Sequence, residues 1–139
     1  MKYLSDVNWI AVLVATVVGF VLGALWFSPL LFSNRWMAAL GKSKEELGKS
    51  GPALGPALAL SFAVTFITAL ALAVLLVIMP LTTTLGALRL GLMLGVVFYA
   101  LATATDYVYT GWPRTIYWIQ ASYHVLMIAI MAVIIAAWR

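Results

Sequence analysis

Side chains that can exchange protons or make hydrogen bonds are few in this chain, and they recur at helical spacing. The sequence holds one histidine, four acidic residues and no cysteine. Three polar stripes each follow one helix face: Tyr99, Thr103, Asp106 and Thr110; Tyr117, Gln120, His124, Met127 and Met131; and Ser61, Thr65 and Thr68. Because histidine titrates near neutral pH, a pair of His124 and Asp106 could relay protons.

These stripes lie inside four apolar stretches that carry almost no charge, at about 7–27, 57–79, 88–108 and 116–138. At a rise of ~1.5 Å per residue, each stretch is long enough to cross ~30 Å of hydrocarbon. In lipid, backbone polar groups must pair within their own segment, so such stretches form helices. The sequence therefore predicts an all-α integral membrane protein, an antiparallel bundle of four transmembrane helices, numbered here spans 1 to 4.

Composition leaves room for a single membrane domain over residues 1–139, since 65% of the residues are hydrophobic and only 9% are charged. The longest connection, residues 30–56, predicts a short amphipathic segment at the membrane surface, with Trp36 facing lipid. Ser43 and Glu46 have the spacing of a capping box, which indicates a short helix there. The brief connection after span 2 predicts that spans 2 and 3 form a tight hairpin.

The helical rise predicts where the polar side chains lie in the bilayer. His124 lies ~12 Å from the start of span 4, and Gln120 and Asp106 lie ~6 Å from the ends of their spans. All of them fall in the half of the bilayer next to the connections after spans 1 and 3. We expect a polar vestibule there, with these binding or permeation candidates: Asp106, Gln120, Tyr123, His124, Trp26 and Ser28.

The same residues have a second interpretation, because polar side chains also join transmembrane helices by hydrogen bonds. Asp106 is in addition a candidate interfacial partner of Arg114. Glycines at four-residue spacing allow two helices to come close, so a helix-packing role is expected for Gly19 with Gly23 and for Gly91 with Gly95.

Several stretches carry a family resemblance: Asn8 to Val12, Gly23 to Pro29, Trp36-Met37, and the last span from Arg114 through Tyr117-Trp118-Ile119 and Tyr123 to Ala132-Val133-Ile134. In them the chain resembles the bacterial membrane family catalogued as domain of unknown function 1761. The resemblance implies a four-helix bacterial membrane protein. It supplies no catalytic or binding residues.

Enzyme motifs such as GxSxG, a P-loop or HExxH are absent from the sequence. One histidine without cysteine gives no metal site, and we expect no cofactor and no nucleic-acid partner. The preferred function is non-enzymatic: binding or passage of a small polar solute, ion or lipid headgroup by a homo-oligomer in the bilayer. The alternative is an accessory or assembly subunit of a larger membrane complex. A membrane-embedded enzyme that uses His124 and Asp106 comes third.

The distribution of basic residues gives a testable orientation. Five Lys or Arg residues flank the connections after spans 1 and 3, and three lie on the opposite side. Cytoplasmic loops are enriched in Lys and Arg, so both termini should lie outside the cytoplasm of a bacterial inner membrane. A reporter fused after Arg139 should therefore give an extracytoplasmic signal. A cytoplasmic signal would reverse the orientation.

Overall fold

The computed structural model describes residues 2–51, 53–79 and 83–138, and all regular structure in these ranges is helical. The helices are α1 (Trp9–Trp26), α2 (Ser33–Leu40), α3 (Lys44–Ser50), α4 (Leu54–Ile78), α5 (Thr84–Leu94), α6 (Ala102–Thr110) and α7 (Arg114–Ala137). A π-helical segment, Gly95–Leu101, joins α5 to α6, and a 3-10 turn lies at Lys2–Leu4. Arg139 and the connecting residues 80–82 lie outside the described residues.

Four helices are long and apolar enough to cross a membrane, as the sequence predicts. Span 1 is α1, span 2 is α4 and span 4 is α7. Span 3 runs without a break over Thr84–Thr110 and includes the π-helical segment. The prediction of an all-α chain with four helices of membrane-spanning length is therefore confirmed, and the helix ends lie within about one helical turn of those expected. The antiparallel order of the spans and their insertion into a bilayer stay predictions.

Span 4 is the helix on which the other spans pack. It contacts spans 1, 2 and 3, and span 1 also packs against span 2. Small side chains allow this close packing, since Ala121, Ala129 and Ala132 of span 4 are all buried. Span 3, by contrast, packs almost entirely against span 4. The fold is thus a cluster of spans 1, 2 and 4 with span 3 attached on the side of span 4.

Two glycines explain why span 3 lies against span 4. A Cβ atom at Gly91 would lie 2.7 Å from the Cα of Ala129, and one at Gly95 would lie 2.7 Å from the Cα of Val125. Real Cβ atoms do not come so close, so these two backbones touch only because the side chains are missing. Such close contact maximises van der Waals packing between helices that gain no hydrophobic energy from association in lipid.

The packing of spans 2 and 3 differs from the tight hairpin that the sequence predicts. Among the described residues, the two spans share no extensive contact. The physical reason is that a short connection fixes only the ends of two helices, whereas Gly91 and Gly95 fix the face of span 3 that packs. That face meets span 4, and spans 2 and 3 stay apart along their length.

The glycines of span 1 face spans 2 and 4. A Cβ at Gly19 would lie 3.1 Å from both Met131 Sδ and Thr65 Cγ2, so three spans meet at this position. At the end of the bundle near the termini, Asn8 caps α1 by accepting hydrogen bonds from the N–H groups of Ile10 and Ala11. Its side-chain amide also donates to the carbonyl oxygen of Trp138 at 2.6 Å, which ties the start of span 1 to the end of span 4.

The segment after span 1 forms two short helices, α2 and α3, joined at Gly41 in the left-handed region (φ 65°). The capping box is confirmed: Ser43 Oγ accepts from the N–H of Glu46, and the N–H of Ser43 donates to the Glu46 carboxylate at 2.8 Å. That last hydrogen bond is the main reason why the pKa of Glu46 is lowered. Trp36 is partly buried and packs edge-on against Phe27, so it does not simply face lipid as expected.

Candidate functional site

The sequence-predicted site residues are distributed over two interfaces of span 4. Trp26 and Tyr123 lie between spans 1 and 4, while Gln120 and His124 lie between spans 3 and 4. Asp106 and Ser28 belong to neither interface. The structure therefore brings four of the six candidates together in the half of the bundle next to the connections after spans 1 and 3.

Between spans 1 and 4, the polar groups act as ties. The indole N–H of Trp26 donates to the carbonyl oxygen of Ile119 at 3.0 Å. Tyr123 is only 9% exposed, and its hydroxyl lies 3.4 Å from the carbonyl oxygen of Gly19. The absence of a side chain at Gly23 makes room for this hydroxyl, because a Cβ there would lie 2.6 Å from it. Trp26 and Tyr123 thus hold spans 1 and 4 together.

Between spans 3 and 4, two tyrosine hydroxyls make similar ties. Tyr107 donates to Oε1 of Gln120 at 2.8 Å, and Tyr117 donates to the carbonyl oxygen of Ala100 at 2.8 Å. Each bond crosses from one span to the other. Gln120 is therefore engaged in holding spans 3 and 4 together.

His124 lies at the centre of a row of aromatic rings. Its ring stacks on that of Tyr99 with centroids 3.8 Å apart and planes 14° apart, and it meets Tyr123 edge-on at 4.7 Å. Tyr123 in turn lies 6.3 Å from Trp26. The row connects span 1, span 4 and span 3. His124 Nδ1 lies 2.9 Å from the carbonyl oxygen of Gln120.

Asp106 and Ser28 take other positions. Asp106 is exposed on α6, and within the described ranges no hydrogen bond, ion pair or ring contact joins it to His124 or Arg114. The Ser28 hydroxyl donates to the carbonyl oxygen of Leu25 at 2.7 Å, which closes the end of span 1. The structure does not form the Asp–His pair that a proton relay within the chain would use.

The hydroxyl stripe of span 2 is satisfied within its own helix. Ser61, Thr65 and Thr68 donate to the carbonyl oxygens of Ala57, Ser61 and Val64 at 2.8, 2.8 and 2.9 Å. Hydroxyls bonded four residues back in this way have used their one proton, so they could meet a ligand only as hydrogen-bond acceptors. Thr65 is buried and fills the space opposite Gly19.

The π-helical segment Gly95–Leu101 is the irregular part of the spans, and it lies at the aromatic row. Its wider turn carries Tyr99, whose ring stacks on His124. Two side-chain hydroxyls donate to its carbonyl oxygens. Thr103 donates at 2.8 Å to that of Tyr99, which also accepts from the N–H of Ala102, and Tyr117 of span 4 donates at 2.8 Å to that of Ala100. Single turns of π-helix occur frequently at functional sites.

An open groove of about 340 Å³ lies between spans 2 and 3. Its walls are Thr68, Ala71, Leu72 and Leu75 of span 2 and Leu94, Phe98 and Tyr99 of span 3, and Ile128 of span 4 completes the lining. The lining is almost wholly apolar. We call it the span 2–3 groove. It exists because span 3 packs on span 4 and leaves span 2 free on this side.

The groove residues were not among the candidates predicted from the sequence. Tyr99 and Thr68 each belonged to a polar stripe, which was the available signal, while Phe98 and Ile128 are ordinary residues of a long apolar helix. Within the described ranges, no group of three or more His, Cys, Asp or Glu side chains could hold a metal ion.

The chain belongs to the family described as protein of unknown function (DUF1761), which matches residues 10–136. The resemblance noted in the sequence is therefore confirmed. No curated protein and no solved structure matches the chain.

The bond from Tyr117 to Ala100 gives a test of the π-helical segment. Tyr117→Phe removes the hydroxyl that donates to the partly buried Ala100 carbonyl oxygen, so we expect a loss of ~1 kcal/mol in stability. Thermal unfolding in a mild detergent measures the effect. Tyr109→Phe is the matched control, because Tyr109 is 86% exposed and should be neutral. Equal stability of both variants would show that the segment does not depend on this bond.

Proposed function

We propose that this small membrane protein binds a lipid-like molecule, without catalysing a reaction on it, in the span 2–3 groove. The observation that carries the proposal is the groove itself: about 340 Å³ of open space with apolar walls, where the described residues of spans 2 and 3 share no extensive contact. Like the function expected from the sequence, this function is non-enzymatic ligand binding. It differs in the place where the ligand binds and in the chemical class of the ligand.

The lining decides the class of ligand. Six of the eight lining side chains are aliphatic or phenyl, and the Thr68 hydroxyl already donates to the carbonyl oxygen of Val64. A hydrated polar solute would lose its water in such a groove and gain few hydrogen bonds. A hydrocarbon chain has no hydration shell to lose there, since lipid tails are as apolar as these walls.

The shape of the groove suits an extended chain. It is open on one side, it holds about 340 Å³, and it is lined by neighbouring turns of spans 2 and 3. An extended hydrocarbon chain can lie in it along the spans.

Binding is supported better than passage. The polar candidates for a path through the protein are engaged elsewhere: Trp26 bonds to Ile119, and Gln120 accepts from Tyr107. Asp106 is exposed, and within the described ranges no hydrogen bond or ion pair joins its carboxylate to these groups. Polar side chains that hold helices together are poorly suited to solvate a moving ion.

A second candidate, an accessory subunit or homo-oligomer, has an observation of its own. Much of span 3 is exposed, including Phe98 at 72% and Val108 at 79%, and Asp106 lies on that exposed surface near the end of the span. Ionisable residues of transmembrane helices usually pair with another group. A cationic residue on a neighbouring membrane protein or on a second copy would supply that pair.

Filling the groove gives the test of the proposed function. In native mass spectra from a mild detergent, the wild-type protein should retain a lipid-sized mass adduct. Ala71→Trp places a large ring in the groove, and overpacking of ~1–3 kcal/mol should reduce the adduct about tenfold. Ala63→Trp is the matched control: it changes the same residue type on the same helix, also exposed, but outside the groove lining.

Two outcomes would count against the groove. Equal adducts in both variants would mean that lipid binds elsewhere on the surface. A wild-type protein that carries no lipid but copurifies with another membrane protein, or as an oligomer, would favour the accessory-subunit candidate.

A further inference from the structure

We infer that Tyr99 and His124 form a subsite for the head of the bound molecule, and that this subsite recognises a neutral hydroxyl group. In this arrangement the ligand hydroxyl donates a hydrogen bond to His124 Nε2 and accepts one from the Tyr99 hydroxyl. The inference rests on the proposed function and names the ligand class: a membrane amphiphile with one apolar chain and an alcohol head.

The hydrogen bond at Nδ1 determines what Nε2 can do. A carbonyl oxygen only accepts, so the 2.9 Å contact with the Gln120 carbonyl requires a proton on Nδ1. In the neutral imidazole, which avoids the cost of a charge within a membrane, Nε2 then carries the lone pair. His124 Nε2 is therefore a hydrogen-bond acceptor and needs a donor.

Both polar atoms of the pair are available. Within the described part of the chain, neither His124 Nε2 nor the Tyr99 hydroxyl has a hydrogen-bond partner. In that part, the side-chain nitrogen or oxygen that is both fully buried and without a partner is Nε1 of Trp36. Since His124 Nε2 and the Tyr99 hydroxyl also have no partner, neither of them is fully buried, and each keeps accessible surface. The hydroxyls of Tyr107 and Tyr117, by contrast, are bonded.

The pair is next to the groove. Tyr99 is part of the lining, and its ring stacks directly on that of His124. Ile128, also in the lining, lies one helical turn after His124 on span 4, a rise of ~6 Å. A chain in the span 2–3 groove therefore has this pair at the end nearer the connection after span 3.

The π-helical segment is an independent reason to assign a function to the pair. Tyr99 lies within it, and such segments frequently mark functional sites. The Tyr117 hydroxyl of span 4 donates to the Ala100 carbonyl oxygen in this segment, so a bond from the neighbouring span also holds the turn that carries Tyr99.

The donor and acceptor together select the head group. A ketone, ester or quinone carbonyl accepts from Tyr99 but has no proton for Nε2. A carboxylate or phosphate also lacks that proton and brings a charge into the membrane. A hydroxyl both donates and accepts, so it alone among these groups satisfies both atoms.

The test compares two photoreactive probes on the purified full-length protein in mild detergent. One is a sixteen-carbon alcohol with a diazirine in its chain, and the other is its methyl ether, which can accept but not donate. Labelled peptides are identified by mass spectrometry. In the wild type, the alcohol should label groove peptides about fivefold more than the ether, the factor that corresponds to one hydrogen bond of ~1 kcal/mol.

Three variants test whether Tyr99 and His124 cause the preference for the alcohol probe over the ether probe. His124→Phe keeps a ring to stack on Tyr99 but removes the acceptor, so both probes should label at the level of the ether. Tyr99→Phe removes the donor and should lower labelling by both probes, because each probe oxygen accepts from that hydroxyl. Tyr109→Phe is the control and should behave as wild type, since Tyr109 is outside the groove. Thermal unfolding of each variant reports whether it folds. If His124→Phe does not fold, the labelling of Tyr99→Phe tests the subsite in its place.

The results distinguish the hydroxyl subsite from lipid binding in the groove. Equal labelling of the wild-type groove by alcohol and ether would overturn the hydroxyl subsite and leave lipid binding in the groove intact. Absence of groove labelling by both probes would overturn the proposed function as well. An alcohol preference that persists in a folded His124→Phe variant would show that another residue recognises the head.

Discussion

Close backbone contact between spans 3 and 4 is the constraint on which the rest of this structure depends. Gly91 and Gly95 remove two side chains at positions where a Cβ would collide with the backbone of span 4. Helices in lipid gain from such packing because the surrounding tails are as apolar as their own side chains. Span 3 is fixed against span 4 in this way and, among the described residues, shares no extensive contact with span 2, so the groove lies between them.

The cost of an unsatisfied polar group in a bilayer also explains why most polar side chains are hydrogen-bonded. Inside a bilayer an unsatisfied polar group is costly, so most of those described here are ties: Trp26 to Ile119, Tyr107 to Gln120 and Tyr117 to Ala100. Against this background, the unbonded ends of Tyr99 and His124 are exceptions. Their rings stack on each other, Tyr99 lines the groove, and Tyr99 lies in the irregular helical segment.

Length and hydropathy were enough to predict the four spans, because crossing a membrane constrains a sequence more strongly than most folds do. The capping box at Ser43 and Glu46 was predictable for a similar reason, since its atoms are within one helical turn. The partner of span 3 was not predictable: the Gly91 and Gly95 motif indicates close packing but does not name the neighbouring helix. Depth along a span placed His124 near Asp106, but only the helix rotation in the structure shows that Asp106 is on the outside. The π-helical segment has no sequence signal of its own, so Tyr99 could be assigned to a polar stripe but not to a site.

Solid-state NMR of the protein in a bilayer gives the most direct test of the central claim, that span 3 is seated on span 4 through its glycines. The Gly91 Cα lies within one bond length, ~1.5 Å, of the point that is 2.7 Å from the Ala129 Cα. With carbon-13 in glycine and alanine, the account predicts a strong cross-peak between Gly91 and Ala129 at short mixing times, and none between Gly91 and Ala71 of span 2. A strong contact of Gly91 with Ala71, without one to Ala129, would contradict the account, because spans 2 and 3 would then pack together and close the groove.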